Sequence, residues 1–418
     1  MLRFAAMSPT VADRKSAPGS ARIWGRRAAL GLAMFWTALT ALVVACVLLP
    51  QIPGVSPIAT LLESFFSLHI AIAGVVGFIF AVCALQFGAG RVAAAAAAIA
   101  LLATLGALIP LLFVIHAANL YGAKLSWLDQ LRGVRKRAAN VPIRTIRYAH
   151  ADGKDLYVDI YAPTYPSPEK SPPVLMMHGG GYVSGKRSMF PDWSRWLSAR
   201  GYTVFDIDYR LAPPPTWNQA AQDAACALAW INAHADEYHV APDRLLIAGQ
   251  SAGAGLALQV AYGLGDGTVQ SSCGGVAPQP KAVFAIYPPD DFALGWNMNT
   301  KLVSLSARSL LQKYIGGSPE QYPDRYRAVS AIFHVRPGLP PTLIAAGEHD
   351  HLVPFEGHLE LVEKLNQAGV PNVLIAIPYG EHAYDLYWGG FGAQITRHGA
   401  EKFLNQYLFV AEPHDAPR

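Results

Sequence analysis

The pentapeptide Gly249-Gln250-Ser251-Ala252-Gly253 could present a nucleophile. It matches G-x-S-x-G and stands directly after an apolar run typical of a strand and directly before a run typical of a helix. Glycines at its flanks allow a strained turn that lifts the serine hydroxyl to the N-terminus of the helix. The pentapeptide alone is common, but the strand–turn–helix setting makes it specific. The pattern predicts that Ser251 is a nucleophile.

A neutral serine needs a base, and the base needs a carboxylate to orient it. Both follow Ser251 in the chain, each directly after a predicted strand: Asp350 after Thr342–Ala346 and His382 after Val373–Pro378. The carboxyl ends of parallel strands meet at one edge of a sheet, where active sites of such sheets lie. We therefore predict a catalytic triad of Ser251, Asp350 and His382.

Two alternatives concern the same loop. Glu348 stands two residues before Asp350 and is a competing acid. His349 and His351 flank Asp350 and could in principle bind zinc or calcium, but two histidines around one aspartate are weak evidence for a metal. A glycine-rich stretch has the spacing of a P-loop, yet Arg187 stands where Ser or Thr must reach magnesium. We expect no metal site and no cofactor.

A second glycine-rich motif, His178-Gly179-Gly180-Gly181-Tyr182, follows another predicted strand. Consecutive glycines leave backbone N–H groups unshielded, so that they can point at a developing oxyanion. We predict oxyanion donors at Gly180, Gly181 and Ala252, the last at the start of the helix that follows the nucleophile. His178 is expected to structure its loop rather than to act as an acid or base.

From about residue 143, short apolar strands alternate with helices, which predicts an α/β fold with a mainly parallel sheet covered on both faces. The predicted strands are Ile143–Tyr148, Leu156–Tyr161, Val174–Met177, Thr203–Asp208, Leu245–Ala248, Ala282–Tyr287, Thr342–Ala346 and Val373–Pro378. The predicted helices are Asp192–Ala199, Trp217–Ala235, Ala252–Leu264, Phe355–Ala368 and Gln394–Leu408.

These motifs, together with Asp208-Tyr209-Arg210-Leu211-Ala212-Pro213, make residues 143–410 resemble the hormone-sensitive-lipase branch of the α/β-hydrolases and related bacterial feruloyl-esterase-like enzymes. The resemblance implies an α/β-hydrolase fold and carboxylester hydrolysis without a metal or organic cofactor. It also implies structural roles for Asp208 and Arg210. Many of these enzymes carry a helical cap before the first strand, where this chain is strongly apolar. Residues 289–340 are either an inserted lid or ordinary connections.

Three apolar runs precede the hydrolase-like part, and each is long enough to cross a hydrocarbon core of about 30 Å as a helix. A cleaved signal peptide would explain only the first run. Lipidation at Cys46 is a minor alternative, because Leu48 and Leu49 continue the apolar run beyond it. The predicted organisation is a basic tail at 1–27, transmembrane helices at 28–49, 65–87 and 92–120, a linker at 121–142, an α/β-hydrolase domain at 143–410 and a tail at 411–418.

Charge is distributed unevenly along the 418 residues. Residues 1–140 contain 12 Lys/Arg and 3 Asp/Glu, whereas the remainder contains 21 basic and 26 acidic residues. A mildly acidic globular part argues against nucleic acid as a partner. Seven basic residues flank the membrane on the side of the N-terminus and five on the other, which favours an inside N-terminus and an extracytoplasmic hydrolase domain. In that compartment a Cys226–Cys273 disulfide is possible.

The sequence thus predicts an integral, multi-pass membrane protein that cleaves carboxylic esters through an acyl-enzyme, with a small-molecule or lipid ester as substrate. An amidase, a peptidase or an acyltransferase could use the same triad, because one fold hosts many reactions. A catalytically inactive binding module in the membrane is the alternative outside the enzymes. The sequence does not define an oligomeric state.

Overall fold

The computed structural model describes residues 20–49, 54–133, 143–165, 167–298, 300–302 and 304–408. Predictions for most of the basic tail, for 134–142 of the linker and for the C-terminal tail therefore lie outside the described residues. The chain divides into two compact units. One comprises Met1–Val44 with Ile70–Ala107, and the other comprises Ala45–His69 with Leu108–Arg418.

The described residues of the first unit come mainly from three long apolar helices, each of which also has residues in the second unit. They are α1 (Ser20–Leu48), α2 (Ser56–Gln86) and α3 (Gly90–Tyr121), and each is long and apolar enough to cross a membrane. Within this unit the helices pack through small side chains, with Ala33, Ala81 and Ala97 buried in one cluster. Small residues allow helix backbones to approach closely in lipid. The three predicted apolar helices are present.

Helix α2 begins nine residues earlier than the span predicted at 65–87. Polar residues such as Thr60, Glu63 and Ser64 interrupt the apolar run on which that prediction depended. Its 31 residues extend over about 46 Å, which exceeds the roughly 30 Å of a hydrocarbon core. Residues 56–69 belong to the second unit, where Thr60 and Glu63 are buried within protein.

An eight-stranded sheet forms the second unit's centre, in the order β1-β2-β4-β3-β5-β6-β7-β8. All eight predicted strands are confirmed, with ends shifted by at most three residues. Strand β2 pairs antiparallel with β1 on one side and with β4 on the other, and the remaining pairs are parallel. The strands are β1 (Ile143–Ala151), β2 (Lys154–Tyr161), β3 (Pro173–Met177), β4 (Thr203–Ile207), β5 (Leu246–Gln250), β6 (Ala282–Ile286), β7 (Thr342–Gly347) and β8 (Asn372–Ile377).

Hydrophobic cores lie on both faces of this sheet. Alternate residues of β3 show this, because Leu175 and Met177 belong to one core while Val174 and Met176 belong to the other. Such alternation follows from the two-residue period of a strand. The remaining helices are α4 (Trp127–Arg132), α5 (Pro191–Ser198), α6 (Gln219–Ala233), α7 (Ala252–Gly263), α8 (Phe292–Asn297), α9 (Ala307–Ile315), α10 (Pro323–Val329), α11 (Phe355–Gln367) and α12 (Phe391–Leu408).

The described part of the linker is held against the hydrolase by one buried glutamine. Gln130, in the short helix α4, is fully buried. Its amide donates to the Phe65 carbonyl oxygen at 2.9 Å and accepts from the Phe391 N–H at 2.7 Å. The Tyr387 hydroxyl donates a hydrogen bond to the backbone carbonyl oxygen of Gln130. Gln130 therefore joins α2, α4 and the start of α12.

A disulfide joins Cys226, buried in α6, to Cys273 in the loop after α7. The two residues are 47 positions apart in the chain. Because the spacing of cysteines does not define their distance in space, this pairing could not be assigned from the sequence.

Candidate active site

Ser251 stands in the turn between β5 and α7 with a left-handed backbone conformation, φ 53° and ψ −121°. The flanking glycines make this turn possible. A Cβ atom on Gly249 would clash with the carbonyl group of Gly253, and one on Gly253 would clash with the carbonyl group of Met177. The Ser251 N–H donates to the Ile286 carbonyl oxygen at 2.9 Å. The serine is therefore held in a strained but well-supported turn.

The three residues predicted as a triad lie in hydrogen-bond contact. His382 Nε2 is 2.9 Å from Ser251 Oγ, and His382 Nδ1 is 2.7 Å from Asp350 Oδ2. The other carboxylate oxygen of Asp350 accepts from the N–H groups of Leu352 and Val353, both at 2.8 Å. Loops after β5, β7 and β8 carry the three side chains. This arrangement allows a proton to pass from the serine hydroxyl to the imidazole.

Glu348, the competing acid, does not reach this histidine. Its side chain is exposed, and its N–H donates to the Ile377 carbonyl oxygen. His349 stacks on Tyr379 with ring centroids 4.7 Å apart. Among the described residues, no group of three or more His, Cys, Asp and Glu side chains could hold a metal ion.

A buried glutamate that sequence reasoning missed connects the two loops of the site. One oxygen of the Glu381 carboxylate accepts from the N–H of His351 at 2.7 Å and from that of His382 at 2.8 Å. The other is 2.6 Å from His351 Nδ1. Burial raises the pKa of Glu381. Burial lowers the pKa of His351, but the Glu381 carboxylate more than offsets this and the net shift is upward. Glu381 therefore joins the loop that carries Asp350 (the acid loop) to the loop that carries His382 (the base loop).

A second buried carboxylate, Asp385, supports His382 through the neighbouring Tyr287. It accepts hydrogen bonds from Trp193 Nε1 at 2.6 Å, from Gln250 Nε2 at 3.0 Å and from the Tyr287 hydroxyl at 2.7 Å. The Tyr287 ring packs against the His382 ring, with centroids 4.6 Å apart. Burial raises the pKa of Asp385. No local motif indicates these three partners, because they come from three separate parts of the chain: α5, β5 and the residue after β6.

The loop of consecutive glycines lies beside the nucleophile. Gly180 and Gly181 have positive φ angles of 120° and 61°, which favour glycine. Gly181 and Ala252 line the same cavity as Ser251, whereas Gly180 is not among the lining residues. The ring of His178 is buried and stacks on another side chain, so this histidine supports the loop. The assignment of oxyanion donors to Gly180, Gly181 and Ala252 stays a prediction.

An apolar cavity opens at Ser251. Part of its lining comes from the segment at 289–340, chiefly from α8 and α9. Leu61 of α2 packs against the buried cluster of Leu302, Ala307 and Leu352, as does Leu310. The lining residues from 289–340 and from the acid loop include Phe292, Gly295, Ala307, Leu310, Leu311, Leu352, Val353 and Pro354.

Comparisons with known proteins agree with this geometry. The BD-FAE family model matches residues 158–365. The probable carboxylic ester hydrolase LipM of Mycobacterium tuberculosis is 28% identical over 278 residues, which cover 63% of each chain. Esterase LipC of the same organism is 30% identical over 245 residues, which cover 57% of this chain and 59% of LipC. The chain therefore spans less than two thirds of the length of these curated relatives.

Among solved structures, the esterase Est2 of Thermogutta terrifontis superposes with a TM-score of 0.53 at 24% identity. The superposition covers 67% of this chain and 96% of Est2. At this identity the likeness shows the fold alone. Family match, relatives and fold agree on one conclusion: this chain has an α/β-hydrolase fold and is similar to esterases.

Proposed function

We propose that this protein is a membrane-anchored serine hydrolase that cleaves carboxylic esters. One observation carries the proposal: Ser251, His382 and Asp350 form a continuous line of hydrogen bonds at 2.9 and 2.7 Å beside an apolar cavity. LipM is named a probable carboxylic ester hydrolase and LipC an esterase, and these names support a carboxylic ester as the bond that is cleaved.

In the proposed mechanism, Ser251 Oγ attacks the ester carbonyl carbon while His382 Nε2 takes the hydroxyl proton. Backbone N–H groups of Gly180, Gly181 and Ala252 stabilise the oxyanion. The tetrahedral intermediate collapses, His382 returns the proton to the leaving alcohol, and an acyl-enzyme remains. His382 then activates a water molecule that releases the acid and regenerates the serine. Asp350 holds the imidazole and stabilises its cation in both halves of the cycle.

The substrate class follows from the cavity and the helices. Apolar lining residues suit an acyl chain. Three helices that are apolar enough to cross a membrane support anchoring in the bilayer, which favours an acylglycerol or another lipid ester. An extracytoplasmic hydrolase domain is supported by the basic N-terminal segment and by the Cys226–Cys273 disulfide, since disulfides persist in oxidising compartments.

The test uses the full chain in detergent. We expect a fluorophosphonate to label one serine, located by peptide mass spectrometry at Ser251. We also expect turnover of p-nitrophenyl esters, preferred over p-nitroanilides of the same acyl group. A preference for the anilides would indicate an amidase or peptidase, and acyl transfer to an added alcohol in preference to water would indicate an acyltransferase. A folded protein that neither labels nor turns over any of these substrates would support the inactive binding module.

Activity is expected to fall on the acid side of neutrality. Burial lowers the pKa of His382, but the Asp350, Glu381 and Asp385 carboxylates together raise it by more, so the net shift is upward. Only the neutral imidazole can accept the proton of Ser251. We therefore expect kcat/KM for an ester to decline as the pH falls through a midpoint above about 6.5, the ordinary value for histidine. A pH profile of kcat/KM measures this midpoint.

The control for this profile is Glu348→Gln, because the Glu348 side chain is exposed and does not contact His382. Its midpoint should equal that of the wild type. A wild-type midpoint clearly below 6 would contradict the arrangement of charges described here.

A further inference from the structure

The first part of α2 reaches the loop that carries the catalytic base. Ser64 Oγ accepts a hydrogen bond from the Glu381 N–H at 2.7 Å. The same oxygen lies 3.1 Å from the Tyr379 carbonyl oxygen and 2.9 Å from the Thr60 carbonyl oxygen, either of which can accept its proton. A helix that precedes the hydrolase domain in the chain thus contacts the residue next to His382.

We infer that Ser64 is a positioning residue for His382, acting through Glu381, so that the start of α2 is part of the catalytic scaffold. This inference rests on the proposed function. It concerns residues 56–69 and 108–408 of one compact unit.

The loop in question needs external support. Tyr379 and Ala383, on either side of His382, have positive φ angles of 53° and 62°. Residues with a Cβ adopt this conformation at a cost, and they keep it only where the surroundings hold them. The Ser64 hydroxyl bonds two backbone groups of this loop, the carbonyl oxygen of Tyr379 and the N–H of Glu381. The hydroxyl is therefore placed to hold this turn.

A second contact from the helices reinforces this one. The Tyr379 ring contacts Phe113 of α3 and His349 of the acid loop, with centroids 5.8 Å and 4.7 Å apart. The backbone of the loop is thus held by α2 and its first side chain by α3.

The effect passes to the imidazole through Glu381. The Glu381 side chain is fully buried and binds the N–H groups of both His351 and His382. If the Glu381 N–H lost its acceptor, the loop could shift relative to Ser251. The distance from His382 Nε2 to Ser251 Oγ would then lengthen from 2.9 Å. Misplacement of a catalytic group by about 1 Å can cost on the order of 100-fold in rate.

The test compares two variants of nearly equal shape. Ser64→Thr keeps the hydroxyl, and Ser64→Val replaces it with a methyl group. We expect Ser64→Val to lower kcat for a p-nitrophenyl ester by roughly 10- to 100-fold, the range associated with a misplaced catalytic group. KM should stay near the wild-type value, because Ser64 does not line the cavity. Ser64→Thr should restore most of kcat.

The matched control is Thr60→Val, one turn earlier on α2. The Thr60 hydroxyl is buried and donates only to the Ser56 carbonyl oxygen of its own helix. The Thr60→Val variant should therefore keep the wild-type kcat. All rates are expressed per active site, titrated to completion with a fluorophosphonate, so that unfolded protein does not enter the comparison.

Three outcomes would overturn the inference: a wild-type kcat in Ser64→Val, an equal loss in Ser64→Val and Ser64→Thr, or an equal loss in Thr60→Val. Failure of the proposed function looks different, since the wild-type chain would then show neither ester turnover nor fluorophosphonate labelling in the same preparation. That result would remove both the function and the positioning role.

Discussion

Ser251→Ala is expected to lower kcat for a p-nitrophenyl ester by about 10⁵- to 10⁶-fold, as removal of the nucleophile does in enzymes with such triads. Ser251 Oγ is the hydroxyl that His382 Nε2 contacts at 2.9 Å. Alanine leaves no atom that can form the acyl-enzyme. Fluorophosphonate labelling should disappear together with turnover, and both are measured on the same detergent-solubilised preparation.

The substitution should leave the fold intact. Alanine and serine share a Cβ, so the turn with φ 53° is equally strained in both. A matched control is Ser271→Ala, because among the described residues that half-buried hydroxyl bonds within its own loop, to Gly274 and Cys273. Its activity should equal the wild-type value. Labelling that persists in Ser251→Ala would show that the nucleophile is another residue.

Asp350→Asn is expected to lower kcat by about 10⁴-fold. The reason lies in the two N–H groups of Leu352 and Val353, which both need an acceptor and now share Asp350 Oδ1. The amide oxygen of asparagine would take that position and leave its NH₂ group facing His382 Nδ1. Nδ1 would then have to accept, so the ring proton would sit on Nε2. An imidazole in that tautomer cannot accept the proton of Ser251.

Glu348→Gln makes the same chemical change two residues away and tests the assignment of the acid. Its carboxylate is exposed and does not contact His382, so kcat should stay at the wild-type value. Both variants are compared by kcat per titrated active site and by thermal unfolding. A larger loss in Glu348→Gln than in Asp350→Asn would reverse the roles given to these two carboxylates.

The pH profile and the Ser64 variants test the surroundings of His382 rather than the nucleophile itself. The first reports the charges that surround His382, and the second reports the contact that holds its loop. A protein in which all of these results hold would be a hydrolase whose base depends on a helix preceding the catalytic domain. In that case, removing α2 would affect turnover.

Local patterns were sufficient for the strands and for the nucleophile turn. Each strand is a short apolar run bounded by turn residues, and each predicted strand is observed. The glycines around Ser251 predict a sharp turn because a side chain at those positions would clash with nearby backbone. Asp350 and His382 could be proposed because the ends of parallel strands meet at one edge, which is a property of the fold class.

Helix α2 extends nine residues beyond the N-terminal end of the span predicted at 65–87, for a physical reason. An apolar run measures contact with lipid, whereas Thr60 and Glu63 are polar residues buried within protein. Only the packing of residues 56–69 in the unit that contains the hydrolase explains why the helix continues through them. The same limit applies to the disulfide, whose two cysteines are 47 positions apart.

The sequence by itself therefore determined the fold class, the apolar helices and the candidates for the triad, because each depends on neighbouring residues in the chain. Tertiary structure decided which carboxylate faces His382, how Glu381 joins the two loops, and that Ser64 supports them. These contacts join residues as far as 317 positions apart. Long-range pairings of single polar side chains leave no periodic or local pattern, so they emerge only when the chain is folded.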